Sequence, residues 1–390
     1  MTMQLNNRER FLETMHYQPR DRAPITDFGF WEETIPLWHQ QGLPKQIHFS
    51  YRKSNHLAYF GMDFGIDELS HATDIRIGLA PAFRKRILED QGDHQVVQQA
   101  DGVRVLRRKT MGSIPQHQGH LLTDRASWES QYKPRLNPEV GNRLPTDWAT
   151  RLQQWQDPNR EEILVLPGGS LYGWLRNWMG VENISYLLYD DPALFEEMVT
   201  TVADCILGTL AQALTTAAAA GVQFDACGMW EDMAYRAGPL ISPRHFKKFL
   251  VPHYRRITDL LRSYGVDIVW LDCDGDIALL VPHWLDAGVN CMFPLEIGTW
   301  GSDPLQYRRQ YGKDLLMMGG FDKHILSKGK GEIAAEVKRL APLVEDGGYI
   351  GFCDHRVPPD VPLENYLYYL AQVRTIWGHD THLRPMGNRE

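Results

Sequence analysis

From residue 160 onward, short apolar runs alternate with helical stretches of ten residues or more. The runs at 163–166, 222–226, 268–272, 289–293, 315–318 and 349–353 are too short for helices and rich in β-branched and aromatic residues, so they read as buried strands. Helical stretches follow at 192–220, from 243, at 277–287, at 332–343 and at 362–377. Strands separated by helices of that length pair in parallel. With a further strand near Ile25 and one near Asp74 or Val103 the count reaches about eight. The expectation is an α/β fold, a (βα)8 TIM barrel, as one domain over residues 1–390. A doubly wound open sheet ranks second, because no G-x-G-x-x-G opens any of these helices. Residues 61–145 differ: alternating runs at Gln95-Val96-Val97 and 103–107 are broken by Gly92-Asp93 and Asp101-Gly102 turns. They predict an inserted, hairpin-rich segment.

A parallel barrel gathers the C-terminal ends of its strands at one mouth. The residues expected there are unusually acidic: Asp27, Glu231, Asp232, Asp272, Asp274, Glu296, Asp322 and Asp354, with His355. Asp272 and Asp274 are two apart and share a side if the strand persists. Packing requires no such acids. The bland alternative is turn bonding and capping, which is the role expected of Asp276. Cys273 and Cys353 alternate with the acids and read as structural thiols facing the helices.

Composition removes several function classes. The net charge is -8, with 41 basic and 49 acidic residues evenly mixed, so no basic stripe points to nucleic acid. No signal peptide opens the chain and no apolar run suggests a membrane span. Five scattered cysteines without a CxxC argue against a disulfide framework and for a reducing cytoplasm.

Four motifs carry a family resemblance. Arg8-Glu9-Arg10-Phe11-Leu12 with Pro19, Asp21, Arg22 and Pro24 resembles the opening of the uroporphyrinogen decarboxylase superfamily. Asp272-x-Asp274-Gly275-Asp276 resembles its metal-binding turn. Gly319-Gly320-Phe321-Asp322-Lys323 and Asp354-His355-x-x-Pro358-Pro359-Asp360 resemble its last two barrel loops. The superfamily contains metal-free decarboxylases of uroporphyrinogen and zinc-dependent methyltransferases that exchange a methyl group with a corrinoid protein. The decarboxylases' Arg-rich turn is replaced here by Ile25-Thr26-Asp27-Phe28. The resemblance therefore implies a methyltransferase acting on a small ether, amine or thiol, with the decarboxylase as the alternative.

It also implies roles. Asp272, Asp274 and His355 stand where the zinc-binding His and Cys residues would be, with Glu296 or Glu231 to complete the shell. The implied cofactors are a divalent metal, zinc first, and a corrinoid supplied by a partner protein. Oxygen-rich ligation also suits Fe, Mn or Co. Glu231, Asp232 and Asp27 are candidate acid–base residues, and Tyr172, Arg176, Trp230 and Trp31 candidate substrate contacts. For each aromatic the plain alternative is packing at the barrel rim, and for Arg176 a surface ion pair.

Overall fold

The computed structural model describes residues 4–50, 54–109 and 115–378. Its strands fall into three sheets. β1 (Arg86–Gln91), β2 (His94–Gln98), β3 (Arg104–Arg108) and β4 (Gln116–Gly119) form an antiparallel sheet in that order, the hairpin segment expected from the sequence. β5 (Val165–Gly169), β6 (Ala226–Trp230), β9 (Val269–Asp272), β10 (Cys291–Phe293), β11 (Leu316–Phe321) and β12 (Tyr349–Cys353) form a parallel sheet in the order β12-β11-β10-β9-β6-β5. Between them, β7 (Ala234–Tyr235) and β8 (Gly238–Pro239) make a small antiparallel ribbon.

Six strands are laddered, and the rest of the arc is irregular chain. Residues 29–31 bond to Val357 on one side (Val357 N to Gly29 O, 2.9 Å; Trp31 N to Val357 O, 3.2 Å). On the other side Asp63 N donates to Ile25 O at 2.8 Å, and Thr73 Oγ1 reaches Val165 O at 3.1 Å. Neither Asp74 nor Val103 supplies a barrel strand. Asp74 has φ +52°, which ends any extended run, and the Val103 stretch belongs to the hairpin sheet.

The strand period sorts the core into two layers. Ile163, Val165, Ala226, Ile268, Trp270, Phe293, Met318, Ile350 and Phe352 pack together inside the sheet's curve. Leu164, Leu166, Cys227, Met229, Val269, Leu271, Cys273, Met317 and Cys353 join the helices outside. Asp272 and Asp274 share the parity of Trp270 and project inward, whereas Cys273 and Cys353 are buried free thiols among the helices.

Several boundaries move. The run at 222–226 gives way to a strand at 226–230. Gly228 sits mid-strand, where a Cβ would lie 2.6 Å from the Trp270 ring. The helix expected from Ile277 begins at Val281, so the Asp276 side chain makes a turn bond to Ala278 N (3.1 Å) instead of capping a helix. The helix Pro192–Ala219 is, against the sequence reading, long and apolar enough to cross a membrane by length and composition. In this fold 56% of that apolar window is buried, and the helix as a whole buries Leu194, Phe195, Met198 and Val202.

The N-terminal ends of the strands are fastened by charge. Arg10 pairs with Asp21 (2.8 Å) and Arg22 with Asp63 (2.6 Å), and Asp63 also accepts from Ile25 N at 2.8 Å. Asp225, just before β6, accepts from Arg8 (2.8 Å), Arg160 (2.8 Å) and Leu164 N (2.8 Å), with its side chain 1% exposed. Removing one member of such a knot strands the others in a dry environment. Asp225→Ala is expected to lower the unfolding free energy by about 3–5 kcal/mol in urea titration. A loss under about 1 kcal/mol would show that the knot is idle.

Candidate functional site

β6 and β9 are neighbours in register, with Trp230 opposite Asp272, so their C-terminal loops emerge side by side. Each loop contributes acids. One carboxylate oxygen from each of Asp232, Asp272 and Asp274 lies within 4.8 Å of the others, and all three residues are half-buried. Among the described residues this is the one such group that can hold a metal ion. Asp232 reaches it from a left-handed backbone (φ +41°), a conformation a non-glycine residue adopts only when its surroundings enforce it. After Asp274 the chain turns away at Gly275 (φ +98°), where a Cβ would lie 2.5 Å from the Ala234 backbone.

The group is tightly built. Asp274 N donates to Asp232 Oδ1 at 3.3 Å. Asp274 Oδ1 is buried and accepts no hydrogen bond. Arg176 lies 3.7 Å from Asp232 and packs 5.6 Å over the Trp230 ring. His355 Nε2 is 3.5 Å from Asp274 Oδ2, and its ring stacks on Trp31 with centroids 5.5 Å apart. Burial pushes the Asp272 carboxyl well above its ordinary range, and the charges of Asp274 and Asp232 push it further. Burial, then the Asp274 charge, raises Asp232 to about 6. Three acids in one half-dry place either take up protons or hold a cation, and the orphaned Asp274 oxygen is suited to the second.

Other expected site residues stand elsewhere. Glu231 is fully buried and its carboxylate accepts from Ser170 Oγ, from the amides of Leu171, Tyr172 and Gly173, and from the Tyr254 hydroxyl. Glu296 pairs with Lys323 at 2.5 Å and accepts from Trp300 Nε1, outside the three-acid group. Asp27 is buried against Tyr366, whose hydroxyl donates to it at 2.7 Å. Tyr172 is fully buried, and burial raises its hydroxyl to about 12. Asp322 caps His324 N at 2.9 Å, the helix-start role expected of it.

A cavity of about 400 Å³ opens beside Asp272. Trp230 lines it, with Trp174, Trp270, Phe28, Phe293, Asp67 and Arg356, none of which the sequence singled out. Arg356 pairs with Asp67 at 2.8 Å and lies 4.6 Å over Phe28. Its position directly after the Asp354-His355 strand end was the available signal. Asp67 lay hidden in the segment read as hairpins.

Three comparisons bear on this geometry. Residues 176–376 match the family described as Uroporphyrinogen decarboxylase (URO-D). Two uroporphyrinogen decarboxylases, from two strains of Thermus thermophilus, are each 27% identical over 139 residues, 35% of this chain and 38% of theirs. The likeness thus spans well under half the length of those relatives. A methyltransferase from Methanosarcina mazei shares the fold with a TM-score of 0.59 at 15% identity, over 95% of this chain and 99% of that one.

Asp27 gives a test by pH. Burial raises its carboxyl to about 7, against the pull of the Tyr366 hydroxyl and the Phe28 amide. The unfolded chain releases this proton near pH 4, so the folded state binds it more tightly and loses stability as pH rises from about 4 to about 7. At about 1.4 kcal/mol per unit the ceiling is on the order of 4 kcal/mol. Asp27→Asn should therefore be more stable than the parent at pH 8 and close to it at pH 4.5, read from urea midpoints. The same difference at both pH values would refute the linkage.

Proposed function

The chain belongs to the uroporphyrinogen decarboxylase family, and we propose that it is a methyltransferase within it, moving a methyl group between a small substrate and a corrinoid carried by a partner protein. One observation carries the choice: the charge of the mouth. Three carboxylates converge there. The cations around them are already engaged, Arg176 with Asp232, Arg356 with Asp67 and Lys323 with Glu296. A tetrapyrrole bearing eight carboxylates asks for the opposite sign. The fold is one that a methyltransferase uses, which is compatible with this reading.

In this reading Asp232, Asp272 and Asp274 hold one divalent cation, with His355 beside Asp274 as the nitrogen donor nearest the group. The donor set fits a metal, since Asp274 Oδ1 is buried without a hydrogen-bond partner. Zinc is the ion implied by the resemblance, and the oxygen-rich set suits manganese or iron as well. When bound, such a cation takes up negative charge that develops on a leaving heteroatom. Asp232 thereby moves from the acid–base role to the ligand set. Trp230 and Arg176 flank the substrate, and Trp31 orients the His355 ring. The exposed Tyr235, 5.8 Å from Trp300, offers part of the rim on which a corrinoid protein would sit.

The decarboxylase alternative keeps the support of the Thermus relatives. It would leave the acids metal-free, with Asp232, at about 6, as the proton-transfer group.

Protein purified without chelator is expected to contain about one equivalent of divalent metal by elemental analysis. Asp272→Asn and Asp274→Asn should each weaken its binding by roughly 100-fold or more and abolish methyl transfer to free corrinoid, with cooperative thermal unfolding retained. Metal-free wild-type protein that converts uroporphyrinogen to coproporphyrinogen would replace this reading with the alternative.

A further inference from the structure

We propose that Glu231 is a positioning residue: it holds Asp232 in the backbone conformation that completes the three-acid group, and so sets that group's affinity for a metal ion. The sequence offers Glu231 as an acid–base group or as a ligand, and the geometry leaves it neither role. The residue is fully buried. Its Oε1 accepts from Leu171 N at 2.7 Å and from the Tyr254 hydroxyl at 2.6 Å. Its Oε2 accepts from Ser170 Oγ at 2.9 Å, Tyr172 N at 2.9 Å and Gly173 N at 2.8 Å. A carboxylate offers about four lone-pair sites, so these donors leave none for a metal or a substrate.

The cage acts through the backbone. Gly173 packs so closely on the Glu231 carbonyl that a Cβ there would lie 2.4 Å from the oxygen. Glu231 N donates to Asp272 O at 2.9 Å, which ties the β6 loop to the end of β9. On the other side of Asp232, Met233 N donates to Cys273 Sγ at 3.3 Å, and Met233 O accepts from Leu240 N at 2.8 Å. Asp232 thus lies between two fastened residues, one bonded to Asp272 and the other to Cys273. Its φ of +41° is sparsely populated by residues other than glycine and persists where the surroundings enforce it. From that conformation Asp232 Oδ1 accepts from Asp274 N at 3.3 Å, and a carboxylate oxygen comes within 4.8 Å of those of Asp272 and Asp274. Without the cage Asp232 relaxes toward an ordinary conformation and its carboxylate leaves the group. The proposal rests on the metal reading of the three acids and stands apart from methyl transfer.

The test is Mn²⁺ binding to the full chain, read by calorimetric titration and by the electron paramagnetic resonance spectrum of the bound ion. Glu231→Gln keeps the shape of the side chain but turns an amide NH₂ against the donors of the cage. It is expected to bind Mn²⁺ at least about tenfold more weakly than the wild type and to change the spectrum. In an Asp232→Ala background the same substitution should cost less than about twofold more, because the residue it acts through is gone. Asp225→Ala loosens the opposite end of β6 and should leave affinity and spectrum at wild-type values, which separates positioning from general destabilisation. If Glu231→Gln does not fold, Tyr254→Phe decides: it removes one donor and should weaken Mn²⁺ by about threefold or more. Wild-type Mn²⁺ affinity in the cage variant, or an equal loss in Asp225→Ala, overturns the proposal. So does a loss that persists in full on Asp232→Ala, which is the signature of a missing buried charge felt at a distance. Wild-type protein that binds no Mn²⁺ overturns the metal reading together with the proposal. Weaker Mn²⁺ binding in Glu231→Gln, from a protein that transfers no methyl group, upholds the positioning role and sinks the methyltransferase reading.

Discussion

The carboxylate of Glu231 fixes where the three converging acids can stand. It is held at 2.6–2.9 Å by five donors: the Ser170 hydroxyl, three successive amides at the start of the Gly173–Met179 helix, and the Tyr254 hydroxyl. Its own amide donates to Asp272 O at 2.9 Å, which locks the β6 loop to the β9 loop. The next residue, Asp232, then has little choice but the left-handed turn that aims it at Asp274. Gly173 belongs to the same device, because a Cβ there would lie 2.4 Å from Glu231 O. A fully satisfied buried carboxylate is a rigid fixture, whereas a half-satisfied one would be a defect. Glu231 serves the site from behind it.

That arrangement leaves an electrostatic asymmetry. Around the mouth three described cations are each paired with an acid: Arg176 with Asp232, Lys323 with Glu296, Arg356 with Asp67. Among the described residues, Asp272 and Asp274 form no ion pair with a guanidinium or ammonium group, and the His355 imidazole lies 3.5 Å from Asp274. Burial and mutual repulsion raise Asp272 and Asp232 for that reason. An uncompensated group of this kind costs stability, so its persistence fits a site that is completed by something positive.

Much of this was legible, and the failures have physical causes. Apolar runs located the strands because buried parallel strands read as continuous hydrophobics. Spacing by two placed Asp272 and Asp274 on the inner face and Cys273 outside. Gly319 and Gly320, which the motif placed in a loop, lie within a strand, as do Gly228 and Gly168; at Gly228, Gly168 and Gly320 neighbouring side chains approach so closely that a Cβ would clash at 2.6, 2.4 and 2.7 Å. Glu231 and Asp232 were adjacent acids of equal standing in the sequence. Only the cage of amides, assembled from residues 58–61 positions away, makes one a support and leaves the other in the site. Asp67 and Arg356, 289 residues apart, could be paired only by the fold.

One of the motifs that carry the family likeness lies at the opposite end of the sheet from the three acids. Arg10, Asp21 and Arg22 of the N-terminal motif fasten the ends where the strands begin, through pairs to one another and to Asp63. They would serve any reaction equally. Trp230, Asp232, Asp272, Asp274 and Arg356 stand at the strand ends or on the loops that follow them. A likeness written into the first set identifies the scaffold and is silent on the reaction, since function is built into the loops grafted on it. What distinguishes the two chemistries is the sign of the charge the mouth must meet, and here the residues that set that sign are Asp232, Asp272 and Asp274, of which, among the described residues, only Asp232 has a guanidinium beside it.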